Sequence, residues 1–279
     1  VLWRDPAADP LPMGLAVGGG RLFALNREAL LCLDAATGQE RWRVPRASAA
    51  KRPDWSAPTL VAVDDVLLCA DRTPEPGPDW LTDGVTGKPI ARWLAEGSST
   101  GVLTAYAAET GKALWSCSAA EAYHSPTDVF VSDGLVWVGQ SRARFGSDFR
   151  EARDLRTGEV KRRIAPDKAF QTTMPHHRCH RNRATTRYLV TGRTGVEFID
   201  TQTGDAFRHH WVRGTCQFGV LPCNGLLYAP PHSCACYIEG KLTGFLALAP
   251  RRPDERPETR DQRPEDRKST RLNSSHRMP

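Results

Sequence analysis

The chain lacks any apolar run near the roughly 20 residues a membrane-crossing helix needs, so no helical span is expected. Sustained heptad or 3.6-residue patterns are also missing, which argues against a helical bundle or coiled coil. There is no CxxC pair to begin a common small zinc fold, and no CxxCH for haem attachment. Aromatics are sparse at 8%, and only three methionines occur in 279 residues. The formal net charge is +6. The last 29 residues carry nine basic and six acidic side chains, so +3 of that charge sits in the tail. The high pI is thus a weak argument for a nucleic-acid partner, and none is expected. The segment HHRCHRNR would be the place to test for one, through the salt dependence of binding.

What is present is a turn, written five times and ending in Thr-Gly. The copies are Asp34 to Gly38, Asp83 to Gly87, Ala107 to Gly111, Asp154 to Gly158 and Asp200 to Gly204. Each follows a short apolar run and precedes an extended one. Asp and Thr bond the local backbone and favour a tight turn. Gly takes the positive-φ position that closes a short hairpin loop. Each copy therefore predicts a β-hairpin. Trp42 and Trp115 both fall four residues past the glycine. Two-residue alternation puts Glu40, Trp42 and Val44 on one face, which suggests a ring wedged between adjacent sheets.

Gly38 to Gly87 spans 49 residues, Gly111 to Gly158 spans 47, and Gly158 to Gly204 spans 46. A four-stranded propeller blade takes about 40–50 residues, and propellers have roughly four to eight blades. The spacing predicts an all-β propeller of four-stranded antiparallel blades, about five of them, forming an incomplete ring. The short interval of 24 residues from Gly87 to Gly111 predicts a second hairpin or an insertion within one blade.

At these turns the sequence resembles the pyrroloquinoline-quinone-type (PQQ-like) propeller repeats of bacteria, whose signature is Asp-x-x-Thr-Gly-x-x-x-Trp, the tryptophan-docking motif. Asp34 to Trp42 matches in full, and Ala107 to Trp115 lacks the Asp. The copies at Gly158 and Gly204 place Arg162 and Arg208 where Trp is expected. The resemblance covers roughly residues 15–250. The segments YHSPTDVFVSDGLVWVG (123–139) and 213–250 look like a bacterial branch of these proteins. In broad architecture the chain also resembles the propeller lipoproteins of outer-membrane protein assembly. The resemblance implies a non-catalytic binding or scaffold protein of the cell envelope, periplasmic or exported, with a protein partner or small ligand on its loop face. The alternative is a quinoprotein or metal-dependent oxidoreductase using PQQ or a His/Cys site. In the true quinoprotein dehydrogenases a Trp floor and a disulfide of two adjacent cysteines hold the quinone, and a Glu, Asn and Asp set binds calcium. Here Cys234-Ala-Cys236 departs from the adjacent pair by one residue, and no such carboxylate set can be assigned. No cofactor is therefore expected with assurance, PQQ or a metal ion being the ones to test.

Five of the eight cysteines fall between 179 and 236. Cys32, Cys69 and Cys117 sit in apolar strand-like runs and read as small buried hydrophobes. His176, His177, Cys179 and His180 lie together and could supply metal ligands, with Cys234 and Cys236 as further candidates. The bland reading of the first group is a solvated polar loop. Arg178, Arg181 and Arg183 are candidates for an anion or ligand contact. A disulfide joining Cys216 or Cys223 to Cys234 or Cys236 is an open alternative to free thiols. His124, Ser125 and Asp128 crowd into five positions, a poor geometry for a triad, and are expected to bond within their own turn. The Gly-rich stretch AVGGGRLFAL precedes a strand and is not expected to cradle phosphate.

Residues 1–250 are expected to form the propeller. Residues 251–279 are nearly free of apolar side chains and are expected to be a disordered tail. Their end, KSTRLNSSHRMP, resembles translated adaptor sequence rather than native protein. The opening VLWRDPAADP carries no initiator Met or leader pattern, so the sequence is read as a fragment whose export signal would lie elsewhere.

Overall fold

The computed structural model describes residues 3–5, 8–46, 56–72, 100–121, 125–142, 146–149, 151–164, 180–192, 195–209, 211–216, 218–231, 242 and 244–250. Contacts divide the chain into Val1–Leu248 and Ala249–Pro279. The tail beyond 250 lies outside the described residues.

The first unit is a series of antiparallel sheets. Sheet 1 holds β1 (Leu15–Gly18), β2 (Arg21–Leu25), β3 (Ala29–Asp34) and β4 (Glu40–Pro45) in that order. Sheet 2 holds β5 (Thr59–Val63), β6 (Val66–Arg72), β7 (Thr100–Ala107) and β8 (Ala113–Ala120). Sheet 3 pairs β9 (Val129–Ser132), β10 (Leu135–Val138), β13 (Glu151–Asp154) and β14 (Val160–Arg163), with a small hairpin of β11 (Gln140–Arg142) and β12 (Gly146–Asp148) between its second and third strands. Sheet 4 holds β15 (Arg183–Ala184), β16 (Tyr188–Thr191), β17 (Val196–Asp200) and β18 (Ala206–His209). Sheet 5 has three strands among the described residues: β19 (Leu221–Cys223), β20 (Leu226–Ala229) and β21 (Leu246–Leu248).

The core lies between sheets rather than inside any one of them. Phe23, Leu25, Leu30 and Cys32 of sheet 1 pack on Leu60, Leu67 and Cys69 of sheet 2. The other face of β6 sends Val66, Leu68 and Ala70 against Val129, Val136 and Val138 of sheet 3. A strand buried on both faces loses its polar alternation, which is why VLLCA reads as a continuous apolar run. Trp137, Ala152, Leu189 and Ile199 fill the junction of sheets 3 and 4. Val190, Val196, Leu227 and Ala229 fill that of sheets 4 and 5. Cys32 and Cys69 are buried as the apolar context demands, and burial pushes the Cys32 thiol upward. Cys117 is only half-buried.

The Thr-Gly turns join third to fourth strands. Asp34 Oδ1 accepts the amides of Ala36 at 3.0 Å and Thr37 at 2.9 Å, and Gly38 N–H donates to the Asp34 carbonyl at 2.8 Å. Asp154 and Asp200 repeat both arrangements. Gly38, Gly111, Gly158 and Gly204 have φ of 77°, 71°, 73° and 81°. In sheet 2 this turn is Ala107–Gly111. The copy ending at Gly87 falls in the connection 73–99 between β6 and β7, outside the described residues.

Each of these turns is capped by the sheet before it. Trp42 Nε1–H donates to the Ala108 carbonyl at 2.9 Å, and Trp115 Nε1–H to the Leu155 carbonyl at 3.0 Å. Both rings lie against a glycine: a Cβ on Gly111 would stand 2.7 Å from Trp42, and one on Gly158 2.5 Å from Trp115. At the next junction the Arg162 guanidinium takes the indole's place and donates to the Thr201 carbonyl. The same side chain position thus reaches the same turn carbonyl in sheets 2, 3 and 4.

The count from glycine fails once. In sheets 1 to 3 a register shift beside the turn brings Trp42 opposite Cys32, Trp115 opposite Ala105 and Arg162 opposite Ala152. Sheet 4 pairs without that shift, so Phe207 stands opposite Phe198 and Arg208 opposite Glu197. One residue of slip reverses the face. Phe207, not Arg208, therefore holds the position equivalent to Trp42.

Candidate functional site

The strand order places every connection on one of two faces. Inner-to-second and third-to-outer links are short turns, such as Asp133-Gly134, Asn224-Gly225 and the Thr-Gly turns. Second-to-third links and the returns to the next inner strand open on the opposite face. They include the long ones, 46–58, 73–99, 121–128, 139–150, 164–182, 210–220 and 230–245, beside the short links 26–28 and 192–195. In a scaffold of rigid sheets such loops are where binding residues concentrate.

On this long-loop face a polar network runs from sheet to sheet. Arg46, just past β4, grips Asp71 of β6 with two bonds, at 2.6 and 3.1 Å. Ser56 donates to Glu121, which also meets Arg72 Nε at 3.2 Å. Thr59 Oγ1–H donates to the Thr127 carbonyl at 2.6 Å and accepts from Arg181 at 2.9 Å. Asn182 donates its side-chain amide to Asp128 Oδ2 at 2.8 Å and its backbone amide at 3.3 Å. Thr127 and Asp128 immediately precede the inner strand of sheet 3, Arg181 and Asn182 that of sheet 4, and Thr59 opens that of sheet 2, so the network ties the inner strands of three sheets together.

Asp128 is fully buried. Burial pushes its carboxyl up to about 6, against the pull of Arg181 and the bonds from Asn182. Burial also lowers Arg181, with Asp128 acting to raise it. Asp128 was expected to bond within its own turn; its carboxylate instead accepts from the segment leading into sheet 4. Ser125 beside it is buried, with no hydrogen-bond partner for its hydroxyl among the described residues. Proline after Ser125 and after Ala57 favours extended backbone there. The parallel stretches Ser56-Ala-Pro-Thr59 and Ser125-Pro-Thr127, each feeding an inner strand, were the signal in the sequence for this network.

His180 is buried, its Nδ1 bonded to the Arg181 carbonyl at 3.0 Å. Its ring lies against Gly214 and Gly219 of the segment leading to sheet 5, where any Cβ would come within 2.9 Å. The other members of that candidate group, His176, His177 and Cys179, lie outside the described residues, as do Cys234, Cys236 and His124. Among the described residues no group of three or more His, Cys, Asp or Glu side chains could hold a metal ion. Cys223 is exposed on β19 and Cys216 half-buried before it; the cysteines proposed to pair with them lie outside the described residues. Arg183 donates to the carbonyls of Arg181, Asn182 and Phe218, and Arg181 to Thr59, while Arg178 lies outside the described residues. Among the described residues no helix is long and apolar enough to cross a membrane.

Repeated antiparallel sheets stacked through apolar faces, each turn capped by the sheet before, define a β-propeller. Within that class, the family model described as outer membrane protein assembly factor BamB matches residues 1–185. The chain belongs to this family. Among solved structures it is similar to BamB from Moraxella catarrhalis, at 15% identity and a TM-score of 0.47, covering 81% of this chain and 57% of that one. It is also similar to the quinohemoprotein alcohol dehydrogenase from Comamonas testosteroni, at 14% identity and a TM-score of 0.43, covering 77% of this chain and 43% of that one. A third is the dihydro-heme d1 dehydrogenase NirN in complex with DHE, at 17% identity and a TM-score of 0.40, covering 77% and 41%. The chain thus spans little more than half the length of the Moraxella protein. No curated protein matches it.

Proposed function

We propose that this chain is a non-catalytic binding or scaffold propeller of the bacterial cell envelope, periplasmic or exported, which takes a protein partner or small ligand on its long-loop face. One observation carries the reading: every long connection between assigned strands joins strand ends on that face, while the strand-to-strand links on the other face are, among the described residues, tight turns. Membership of a family described by its role in outer-membrane assembly supports a protein as the partner. The network from Arg46 to Asn182 ties the inner strands of three sheets together, giving the long loops a common base.

The test is positional. A photo-cross-linking residue replaces Arg156 on the short-turn face or Thr215 on the long-loop face, in protein exported to the periplasm of a Gram-negative host. Adducts with envelope proteins are expected from position 215 alone. Equal adducts from both faces, or from position 156 alone, would overturn the reading.

A second reading, an oxidoreductase using PQQ or a metal, is favoured by one observation. His124, His176, His177, His180, His210 and His232 all fall in the connections that open on this face, and His209 ends β18 beside them. A stoichiometric metal lost on His177→Ala and Cys179→Ala, or dye-linked dehydrogenase activity with added PQQ and calcium, would establish it in place of the scaffold.

A further inference from the structure

Three buried polar atoms at the entries to sheets 3 and 4 have no hydrogen-bond partner among the described residues: Ser125 Oγ, Asn182 Oδ1 and Arg181 Nε. Ser125 and Asn182 are each 1% exposed, so bulk solvent cannot serve them. In native folds such atoms are paired, with protein or with ordered water, in the great majority of cases. These entries are internal to the series of sheets, with sheet 1 on one side and sheet 5 on the other.

Two of the atoms belong to a closed circuit, and the third adjoins it in the chain. Thr59 Oγ1–H donates to the Thr127 carbonyl at 2.6 Å. Asp128, the next residue, accepts the Asn182 side-chain amide on Oδ2 at 2.8 Å. Arg181, beside Asn182, donates from Nη2 back to Thr59 Oγ1 at 2.9 Å. The path thus returns to its start through hydrogen bonds and peptide links alone. Ser125 joins it at Thr127 through Pro126. The chemistry of the remaining atoms names the ligand. Asn182 Oδ1 only accepts, and Arg181 Nε–H only donates. Both bonds to Asp128 fall on Oδ2, which leaves Oδ1 as a second acceptor. Ser125 Oγ–H is a second donor. Two acceptors and two donors complement one water molecule, which has two protons to give and two lone pairs to fill. A cation would meet the Arg181 guanidinium there, and an anion the Asp128 carboxylate.

We infer that one internal water bridges Ser125, Asp128, Arg181 and Asn182 as a constitutive part of the fold. It donates to Asp128 Oδ1 and Asn182 Oδ1 and accepts from Ser125 Oγ–H and Arg181 Nε–H. Internal waters make about three hydrogen bonds, with a range of roughly two to four, so this set is sufficient to hold one. The water joins the segment ahead of sheet 3 to the segment ahead of sheet 4 by a second route, beside the direct Asp128–Asn182 bond.

The experiment is a crystal structure of the 279-residue chain at a resolution that shows ordered water, paired with water-oxygen magnetic relaxation dispersion, which detects long-lived internal waters in solution. The density should hold one water-sized peak about 2.6–3.2 Å from both Ser125 Oγ and Asn182 Oδ1. Ser125→Ala removes one of the water's bonds and should speed its exchange with bulk solvent by at least about fivefold. Ser132→Ala is the control, because the Ser132 hydroxyl donates to the Thr186 carbonyl instead, and it should leave that exchange unchanged. A gap of more than about 6.4 Å between Ser125 Oγ and Asn182 Oδ1 overturns the proposal, since one water cannot span it. So does a peak larger than water, which would make this a site for a solute. Exchange that Ser125→Ala leaves unchanged, or that Ser132→Ala speeds equally, overturns it as well.

Discussion

Trp115→Ala tests the packing on which the fold rests. The indole is half-buried between sheets 2 and 3, lies on Gly158 and donates to the Leu155 carbonyl at 3.0 Å. Full removal of a buried Trp costs about 3–5 kcal/mol. Partial exposure argues for the lower end, and the lost hydrogen bond contributes about 1 kcal/mol of that, since water can reach the turn. The expected loss is about 3 kcal/mol, a fall in Tm of about 6–12 °C for a domain of this size. Gly158→Ala supplies the coupled measurement. With Trp115 present, the new Cβ would stand 2.5 Å from the indole at a φ of 73°, and both penalties apply. With Trp115 removed, only the left-handed backbone cost of about 1–2 kcal/mol remains. The two substitutions should therefore be sub-additive by more than about 1 kcal/mol in urea titrations read by far-UV circular dichroism. A loss below about 1 kcal/mol for Trp115→Ala, or plain additivity, would refute the view that indole and turn form one unit.

Asp128→Asn should remove a pH dependence. The native carboxyl titrates near 6, above its unfolded value near 3.8, so the folded state binds the extra proton. Stability is then greatest below the unfolded value and falls as pH rises toward 6, by about 3 kcal/mol for a shift of this size. Thermal melts between pH 4 and 7 should show that slope in the parent and not in the variant. Asp34, Asp154 and Asp200 have the opposite sign: the Arg41 guanidinium and then the turn bonds lower the Asp34 carboxyl, and turn bonds lower those of Asp154 and Asp200. They contribute stability above about pH 4 that is lost in more acid solution, so Asp34→Asn should flatten the acid limb of the profile. Arg162→Trp should be neutral or stabilising by about 1 kcal/mol, because a Cβ on Gly204 would meet only Ile164, at 3.4 Å, and the Thr201 carbonyl is in position to accept an indole N–H. Deleting residues 251–279 should leave the unfolding free energy of the rest, read from urea titrations, within about 0.5 kcal/mol of the parent, because the tail carries no apolar run to bury.

The repeat and its architecture were legible because they are local. An Asp carboxylate on two amides, a glycine at positive φ and alternating apolar strands act over five to ten residues, so they are written contiguously. The sequence therefore determined the class of fold, the turns of sheets 1 to 4 and the wedged position of Trp42 and Trp115. It also marked 179–236 as the divergent part, without saying what those residues touch. Three matters were decided only by the tertiary structure. Counting four residues from Gly204 pointed to Arg208, but the outcome depended on a register shift that sheet 4 lacks, and register is a property of two strands. Asp128 looked like a turn residue because its partner Asn182 is 54 positions away. Trp3 is 35 positions before Gly38, and nothing in the sequence says that its ring lies on that turn and its indole N–H donates to Ala35. In each case the deciding neighbour is remote in sequence and close in space, and only the stacking of one sheet on the next brings the pair together.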